Sequence, residues 1–215
     1  LNGLLDNMGQ AISTIKAANE GIEAITSFVE QAKAVATSAL DTTDAASRAK
    51  YMAQFNSIRD QIDALAKDSG YKGINLLKGD DLTVTFNEGR DSQLTISGVD
   101  ATVGGDGGTT GLKIAKGADW GKVTDAEAGP SAADITAQET AITNAIKATS
   151  DAINKLRDYA SNFGNNYSIV QTREDFTQNL INVLEEGADK LTLADMNEES
   201  ANMLALQTRQ QLAIN

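Results

Sequence analysis

The strongest constraint on the fold of this chain is a seven-residue apolar repeat that runs through its first 40 residues. Two seams carry the repeat, and they have the spacing of the a and d positions of a coiled coil. The first seam consists of Leu1, Met8, Ile15, Ile22, Val29 and Ala36. The second seam consists of Leu4, Ala11, Ala18, Ile25, Ala32 and Ala39. A repeat held for this length predicts a long helix in a left-handed bundle, about 60 Å long at a rise of 1.5 Å per residue.

A second helix is predicted after a short break. Residues 41–44 (DTTD) favour turns and helix caps. The apolar residues that follow are spaced four, three, four and three apart: Tyr51, Phe55, Ile58, Ile62 and Leu65. Residues 68–70 predict the end of this helix, with Gly70 as the left-handed residue. The two antiparallel helices need further helices to bury their apolar stripes.

Residues 79–130 have a different character, because they hold eleven of the eighteen glycines and the single proline. Apolar and polar residues alternate over residues 82–87 and again from Leu94 to Ile96, which predicts a β-hairpin with one buried face. The remainder, residues 101–129, is predicted to be an irregular surface loop around Leu112 and Ile114, anchored to the rod by Trp120. Residues 104–108 (GGDGG) match one unit of a calcium-binding repeat, but a single copy favours a flexible loop.

A third helix is predicted from Ser131, which serves as its N-cap, with Asp134 as the acidic member of a capping box. Gly164 and Gly187 lie within this helix and are interpreted as bends or close approaches. Its apolar stripe consists of Ile135, Ile142, Ile146, Ile153, Leu156, Ala160, Phe163, Tyr167, Val170, Phe176, Leu180, Leu184 and Leu191.

The predicted fold class is mainly α. It is a long antiparallel helical bundle or coiled-coil rod with a small β-hairpin and a glycine-rich loop insert. Residues 1–78 form the N-terminal arm of the rod, residues 79–130 the hairpin and variable loop, and residues 131–215 the C-terminal arm.

Composition argues against several functional classes. The chain has no histidine and no cysteine, and it lacks a phosphate-cradling glycine motif before a helix, so we predict no enzyme, no cofactor and no metal site. A net charge of −12 disfavours nucleic acid and anionic membrane surfaces as partners. No apolar run approaches the roughly 20 residues that span a bilayer. An enzyme or ligand-binding domain on a helical scaffold remains the least supported hypothesis.

Several segments together resemble the flagellin family. Near the N-terminus these are residues 19–25 (NEGIEAI), residues 60–66 (DQIDALA) and residues 70–77 (GYKGINLL), although Tyr71-Lys72-Gly73 stands where the family usually has Phe-Asn-Gly. Near the C-terminus, residues 156–167 (LRDYASNFGNNY) and the stretch from Leu193-Ala194-Asp195-Met196 to residues 207–213 (QTRQQLA) resemble the family's terminal helices.

The resemblance implies a secreted, extracellular structural subunit that assembles with other copies of itself into the filament of the bacterial flagellum. It also implies passage through the flagellar export apparatus with a chaperone. We expect that this chain lacks the extreme terminal helices of the family and therefore stays monomeric on its own. The alternative is a hook-associated protein of the hook–filament junction, which shares the same helical arms but does not polymerise indefinitely.

The resemblance further implies a site for a Toll-like receptor on the first helix, over residues 29–38. Gln31 stands where the family has its first arginine, and in this segment only Lys33 keeps a positive charge. The corresponding site residues are Glu30, Gln31, Lys33 and Val35. We expect receptor recognition to be weak or lost.

Overall fold

Three helices and one β-hairpin make up the fold in a computed structural model that describes residues 2–214, apart from the side chains of residues 194, 195, 197 and 212–214. The elements are α1 (Asn2–Leu40), α2 (Ala45–Asp68), β1 (Leu82–Thr85), β2 (Gln93–Ile96) and α3 (Ala132–Ile214). Helix α1 lies between α2 and α3 and contacts both. The predicted class, a mainly α rod with a small hairpin, is confirmed. No described helix is long and apolar enough to cross a bilayer.

The two seams of α1 form the axis of the core. From Met8 onward every residue of both seams is buried, while Leu4 is half-buried against the same core. Leu1 lies outside the described residues. Helix α1 approaches the end of α2 closely at Gly21, where a Cβ atom would lie 2.8 Å from the Cβ of Ser69, the C-cap residue of α2. A seven-residue repeat with many alanines has therefore produced the close helix packing that it predicts.

Helix α2 ends where the sequence predicts, but by a different means. Gly70 is not left-handed, and the C-cap residue is Ser69, with φ −78° and ψ 20°. The side-chain amide of Asn75 donates 2.9 Å hydrogen bonds to the carbonyl oxygens of Ala66 and Lys67. Because these terminal carbonyls already have a donor, the helix needs no left-handed glycine at its end. The prediction for Gly70 is wrong for this reason.

The β-hairpin has the predicted alternation. Its antiparallel strands pair Leu82 with Ile96 and Val84 with Leu94. Leu82, Val84 and Ile96 are buried, and β1 contacts α1. One face of the hairpin therefore closes the core on the side of α1.

The insert after the hairpin folds back over α2. Trp120 is 1% exposed and its ring lies 5.0 Å from that of Phe55. The Asn56 side chain accepts from the backbone N–H of Gly117 at 2.7 Å and donates to its carbonyl at 3.0 Å. Leu112 and Ile114 are buried as well. The predicted anchoring role of Trp120 is confirmed, and the insert forms part of the core.

Residues 104–108 form a hydrogen-bonded turn against α2. The N–H of Thr109 donates to the carbonyl of Gly104, and the buried guanidinium of Arg59 donates to the carbonyls of Gly105 and Ile114. Within residues 2–214 as described, no group of three or more acidic side chains is arranged to hold a metal ion. The glycine-rich sequence therefore forms an ordered turn, and Arg59 donates a hydrogen bond to one of its carbonyls.

Helix α3 begins with the predicted capping box. The Ser131 hydroxyl accepts from the Asp134 N–H at 3.1 Å, and the Asp134 carboxylate accepts from the Ser131 N–H at 3.0 Å and from its hydroxyl at 2.7 Å. The helix then continues through Gly164 and Gly187 without interruption. A Cβ atom at either glycine would meet nothing within 4 Å, so the interpretation as close approaches is wrong.

The apolar stripe of α3 is buried over only part of its predicted length. Ile142, Leu156, Phe163 and Val170 are buried, whereas the side chains from Phe176 onward that belong to the stripe are exposed. These exposed members are Phe176, Leu180, Leu184 and Leu191. The prediction of burial for these four residues is wrong for a geometric reason. Helix α1 runs antiparallel to α3, and residues near its start already lie beside Glu174. The turn of the hairpin borders Phe176 and Leu180, and Ile181 is the last buried apolar side chain among the described residues of α3.

The capping box predicts a pH-dependent contribution to stability. Hydrogen bonds from the side chain and backbone of Ser131 hold the pKa of the Asp134 carboxyl below its ordinary value. Because the pKa of this carboxyl is lower in the folded state than in the unfolded state, where it is about 3.9, the ionised carboxylate stabilises the protein at pH values above about 3.9. This stabilisation is lost as the pH falls through the folded-state pKa. Asp134→Ala should lower the thermal unfolding midpoint at pH 6, and the difference from the unmodified protein should shrink below about pH 4. A difference that stays constant from pH 6 to pH 2.5 would contradict this assignment.

Candidate functional site

The second half of α3 presents exposed apolar side chains, most of them beyond Ile181, which is the last buried residue among those described on this helix. The hairpin turn borders Phe176 and Leu180 without burying them. Phe176 is 59% and Leu191 73% exposed, and a 3.6-residue period places them with Leu180, Val183 and Leu184 on one face of the helix. Further exposed apolar side chains follow on the same helix: Leu193, Met196, Met203, Leu204 and Leu206. These later side chains are distributed around the helix, and exposed apolar area of this extent indicates an interaction site.

This surface coincides with the C-terminal segments that carry the resemblance. Leu193 and Met196 of the first segment are exposed, and so are residues 207–211 of the second. The side chains of Ala194, Asp195, Leu212 and Ala213 lie outside the described residues. The sequence singled out this region by resemblance, while the exposure of its apolar side chains becomes visible only in the structure.

A groove of about 530 Å³ runs between α1 and α3 at the segment predicted to meet a receptor. Its walls are Glu30, Lys33, Ala34 and Thr37 from α1, and Ser150, Ile153, Asn154 and Arg157 from α3. Arg157 lies in a segment that carries the resemblance, but its positive charge was not predicted to border the receptor site. Its place beside Lys33 depends on how α3 packs against α1, and no local sequence signal predicts that pairing.

The four predicted site residues do not share one face. Glu30 and Lys33 line the groove toward α3. Gln31 is exposed, with its side-chain amide 3.4 Å from the Ser27 hydroxyl, and Val35 packs partly against the core. At about 100° per residue, Gln31 and Val35 lie on the side of α1 that is turned away from the groove. The structure thus brings together two of the four residues.

A second groove between α1 and α3, about 570 Å³ in volume, lies near the start of α1. Its lining includes the carboxylates of Asp6, Glu174 and Asp175, together with the polar side chains of Gln10 and Gln178. Sequence reasoning did not identify this groove, because its acidic residues come from segments about 170 positions apart in the chain.

Two family models match the chain. Residues 1–81 match the bacterial flagellin N-terminal helical region, and residues 146–215 match the bacterial flagellin C-terminal helical region. Together they cover more than two thirds of the chain, and they leave out β1, β2 and nearly all of the insert.

Curated relatives and a solved structure agree with these matches. Flagellin FljO of Caulobacter vibrioides is 28% identical over 216 residues, which cover 100% of this chain and 71% of that protein. Flagellin C of Rhizobium meliloti is 39% identical over 95 residues, or 42% of this chain and 30% of that protein. The crystal structure of Bacillus cereus flagellin superposes with a TM-score of 0.58 at 16% identity, covering 80% of this chain and 88% of that one. At that identity the superposition supports the fold alone.

Proposed function

The chain belongs to the bacterial flagellin family, and from that premise we propose that it builds the flagellar filament by packing its helical rod against copies of itself. It is an extracellular structural subunit of that filament. The observation that carries the packing mechanism is the antiparallel α1–α3 rod, which ends in the exposed apolar surface of α3. Covering this surface removes apolar area from water and so favours association.

The mode of association follows from the asymmetry of the rod. Its apolar surface lies on the later turns of α3, while the first turns of α3 are held by Arg48 of α2 and by Lys122 and Thr124 of the insert. Contacts between unlike surfaces propagate as a helical array when the rotation between copies does not close into a ring. A structural role of this kind requires no catalytic group, and we propose that the protein has none.

In vitro assembly tests this function against the hook-associated alternative, which no family match favours. We expect the protein, expressed at the full length of its gene, to form long filaments of uniform diameter after addition of a polymerising salt. Negative-stain electron microscopy gives the result. Monomers only, or short assemblies of fixed size from correctly folded material, would instead favour a junction protein.

We also propose that the protein leaves the cell through the flagellar export apparatus and meets a chaperone beforehand. The apolar surface of α3 gives a chaperone a surface to cover, because such side chains would otherwise promote premature association. Co-purification of a chaperone with the newly made protein should be lost when Phe176 and Leu184 are both replaced by serine. A chaperone that binds this double variant as well as the unmodified protein would show that it uses another surface.

Recognition by a Toll-like receptor is proposed to be weak. Lys33 and Arg157 border the same groove as Glu30, while Gln31 offers only a neutral amide at the position where the family has arginine. Gln31→Arg should raise the response of a receptor reporter cell line, and Gln171→Arg, an exposed change on α3, serves as its control. A full response to the unmodified protein at ordinary doses would refute weak recognition.

A further inference from the structure

A groove rich in lysine lies between α3 and the insert. It has a volume of about 400 Å³, and its lining includes Lys113, Lys147 and Lys155 with a single carboxylate, Asp151. A cluster of three lysines is unexpected on a chain whose net charge is −12. Lys147, Asp151 and Lys155 lie within the segment that matches the C-terminal family model, whereas Lys113 of the insert lies outside both matched segments.

The backbone of the insert holds these lysines in place. Lys113 has a left-handed φ of 59°, and its N–H donates to the Thr110 carbonyl at 3.0 Å. A non-glycine residue adopts this conformation at a cost, and it persists where the surrounding structure fixes it. Leu112, the neighbour of Lys113, is 1% exposed, and the ammonium of Lys155 donates to the Gly111 carbonyl at 2.9 Å.

The remaining lysine is available to a partner. Lys147 pairs with Asp151 at 2.9 Å, but both side chains are largely exposed. Surface pairs of this kind contribute little stability, so an incoming carboxylate can replace the internal one. The groove therefore offers a fixed, net positive surface to an acidic partner.

The acidic groove between α1 and α3 has the complementary charge. Asp6, Glu174 and Asp175 line it, and no ion pair within the described part of the chain joins any of them to a cation. The two grooves lie on different flanks of α3, since one is completed by α1 and the other by the insert. They are also displaced along the helix, by roughly 36 Å between residues 151 and 175 at 1.5 Å per residue.

We propose that the lysine groove of one copy docks onto the acidic groove of a second copy of this chain. The proposal rests on the proposed function, because it names one contact through which the filament assembles. The two grooves lie on different sides of α3 and at different positions along its axis, so two copies cannot satisfy both grooves by pairing only with each other. The contact therefore repeats from copy to copy with an axial stagger. Complementary charge sets the register of such contacts and excludes wrong ones.

Charge reversal in the full-length protein tests this docking. Lys113→Glu combined with Lys147→Glu should slow seeded filament growth by at least about tenfold, because like charges then face each other. Asp6→Lys combined with Asp175→Lys should have a similar effect. A protein that carries all four changes should regain most of the growth rate, because the charges are again complementary. All four side chains are exposed, and circular dichroism of each variant verifies that it folds.

The control is a double variant that carries the same change in charge outside both grooves. Lys16→Glu with Lys50→Glu alters two exposed lysines outside both grooves and should leave seeded growth within about twofold of the unmodified rate. Normal growth of both groove variants would overturn the docking and leave the filament function standing. Failure of the fourfold variant to regain the growth rate would also overturn the docking, because it would show that the two grooves do not pair with each other. An unmodified protein that forms no filaments would overturn the function and the docking together.

Discussion

Replacing Arg48 with alanine is expected to destabilise the protein by about 3–5 kcal/mol, because it removes the single donor of several buried acceptors. The guanidinium is 0% exposed and donates to the carbonyls of Thr42 at 2.7 Å and Ala39 at 3.3 Å. It also donates to the side chain of Gln138 at 3.0 Å and pairs with the half-exposed Glu139 at 3.3 Å. Without Arg48 the carbonyl of Ala39 and the side-chain oxygen of Gln138 stay buried and lose this donor.

Urea denaturation measures this effect. The free energy of unfolding of Arg48→Ala should fall by the stated amount, whereas Arg157→Ala, which removes an exposed arginine from α3, should change it by less than about 0.5 kcal/mol. The interaction of Arg48 joins the turn between α1 and α2 to the first turns of α3. A loss below 1 kcal/mol would mean that this junction is held by other contacts.

Trp120→Ala should cost a similar amount, about 3–5 kcal/mol, and should release the insert from α2. The indole fills the space beside Phe55, and its removal leaves a cavity that the flanking backbone of Gly117 and Gly121 cannot fill. Gly121 already lies so close to α2 that a Cβ atom there would be 2.8 Å from that of Ala49. The cost therefore combines lost burial with a persistent cavity.

Limited proteolysis separates release of the insert from general unfolding. Cleavage of Trp120→Ala should concentrate within residues 101–129, while Trp120→Phe, which keeps a ring beside Phe55, should resist cleavage more strongly. The chain has one tryptophan, so its fluorescence in the unmodified protein should be that of an indole shielded from water. Uniform cleavage along the whole chain would show that the insert does not separate from the rod as a unit.

Local patterns predicted most of the secondary structure. The seams of α1, the alternation of the hairpin and the Ser131–Asp134 capping box depend on residues close together in the sequence, and all three are confirmed. The period of an apolar pattern identifies a helix or a strand without knowledge of what covers it. This is why the fold class could be predicted from the sequence.

The errors and omissions come from partners that lie far apart in the sequence. The local pattern predicts a left-handed Gly70 at the end of α2, whereas the capping of this end by Asn75, which is reached through a turn, has no local signal. The apolar stripe of α3 predicted burial at Phe176, although burial depends on where antiparallel α1 begins. The burial of Arg48 and Arg59 has no local sequence signal, because each depends on an acceptor in a distant segment, Gln138 for Arg48 and Ile114 for Arg59.

The candidate site was predictable only in part. Resemblance located Glu30, Gln31, Lys33 and Val35, and helix geometry alone separates them into two faces. It did not identify Arg157 as the neighbour of Lys33. The sequence predicted neither the lysine groove nor the acidic groove, because each combines side chains from two distant segments.

Immunogold electron microscopy of intact flagella tests the central claim, that this protein is the repeating subunit of the filament. An antibody raised against the exposed residues 124–128 of the insert would label the native protein without disturbing the α1–α3 rod. We predict gold particles along the whole length of the filament. Label confined to the joint between hook and filament, or absent from flagella of cells that make the protein, would contradict the account.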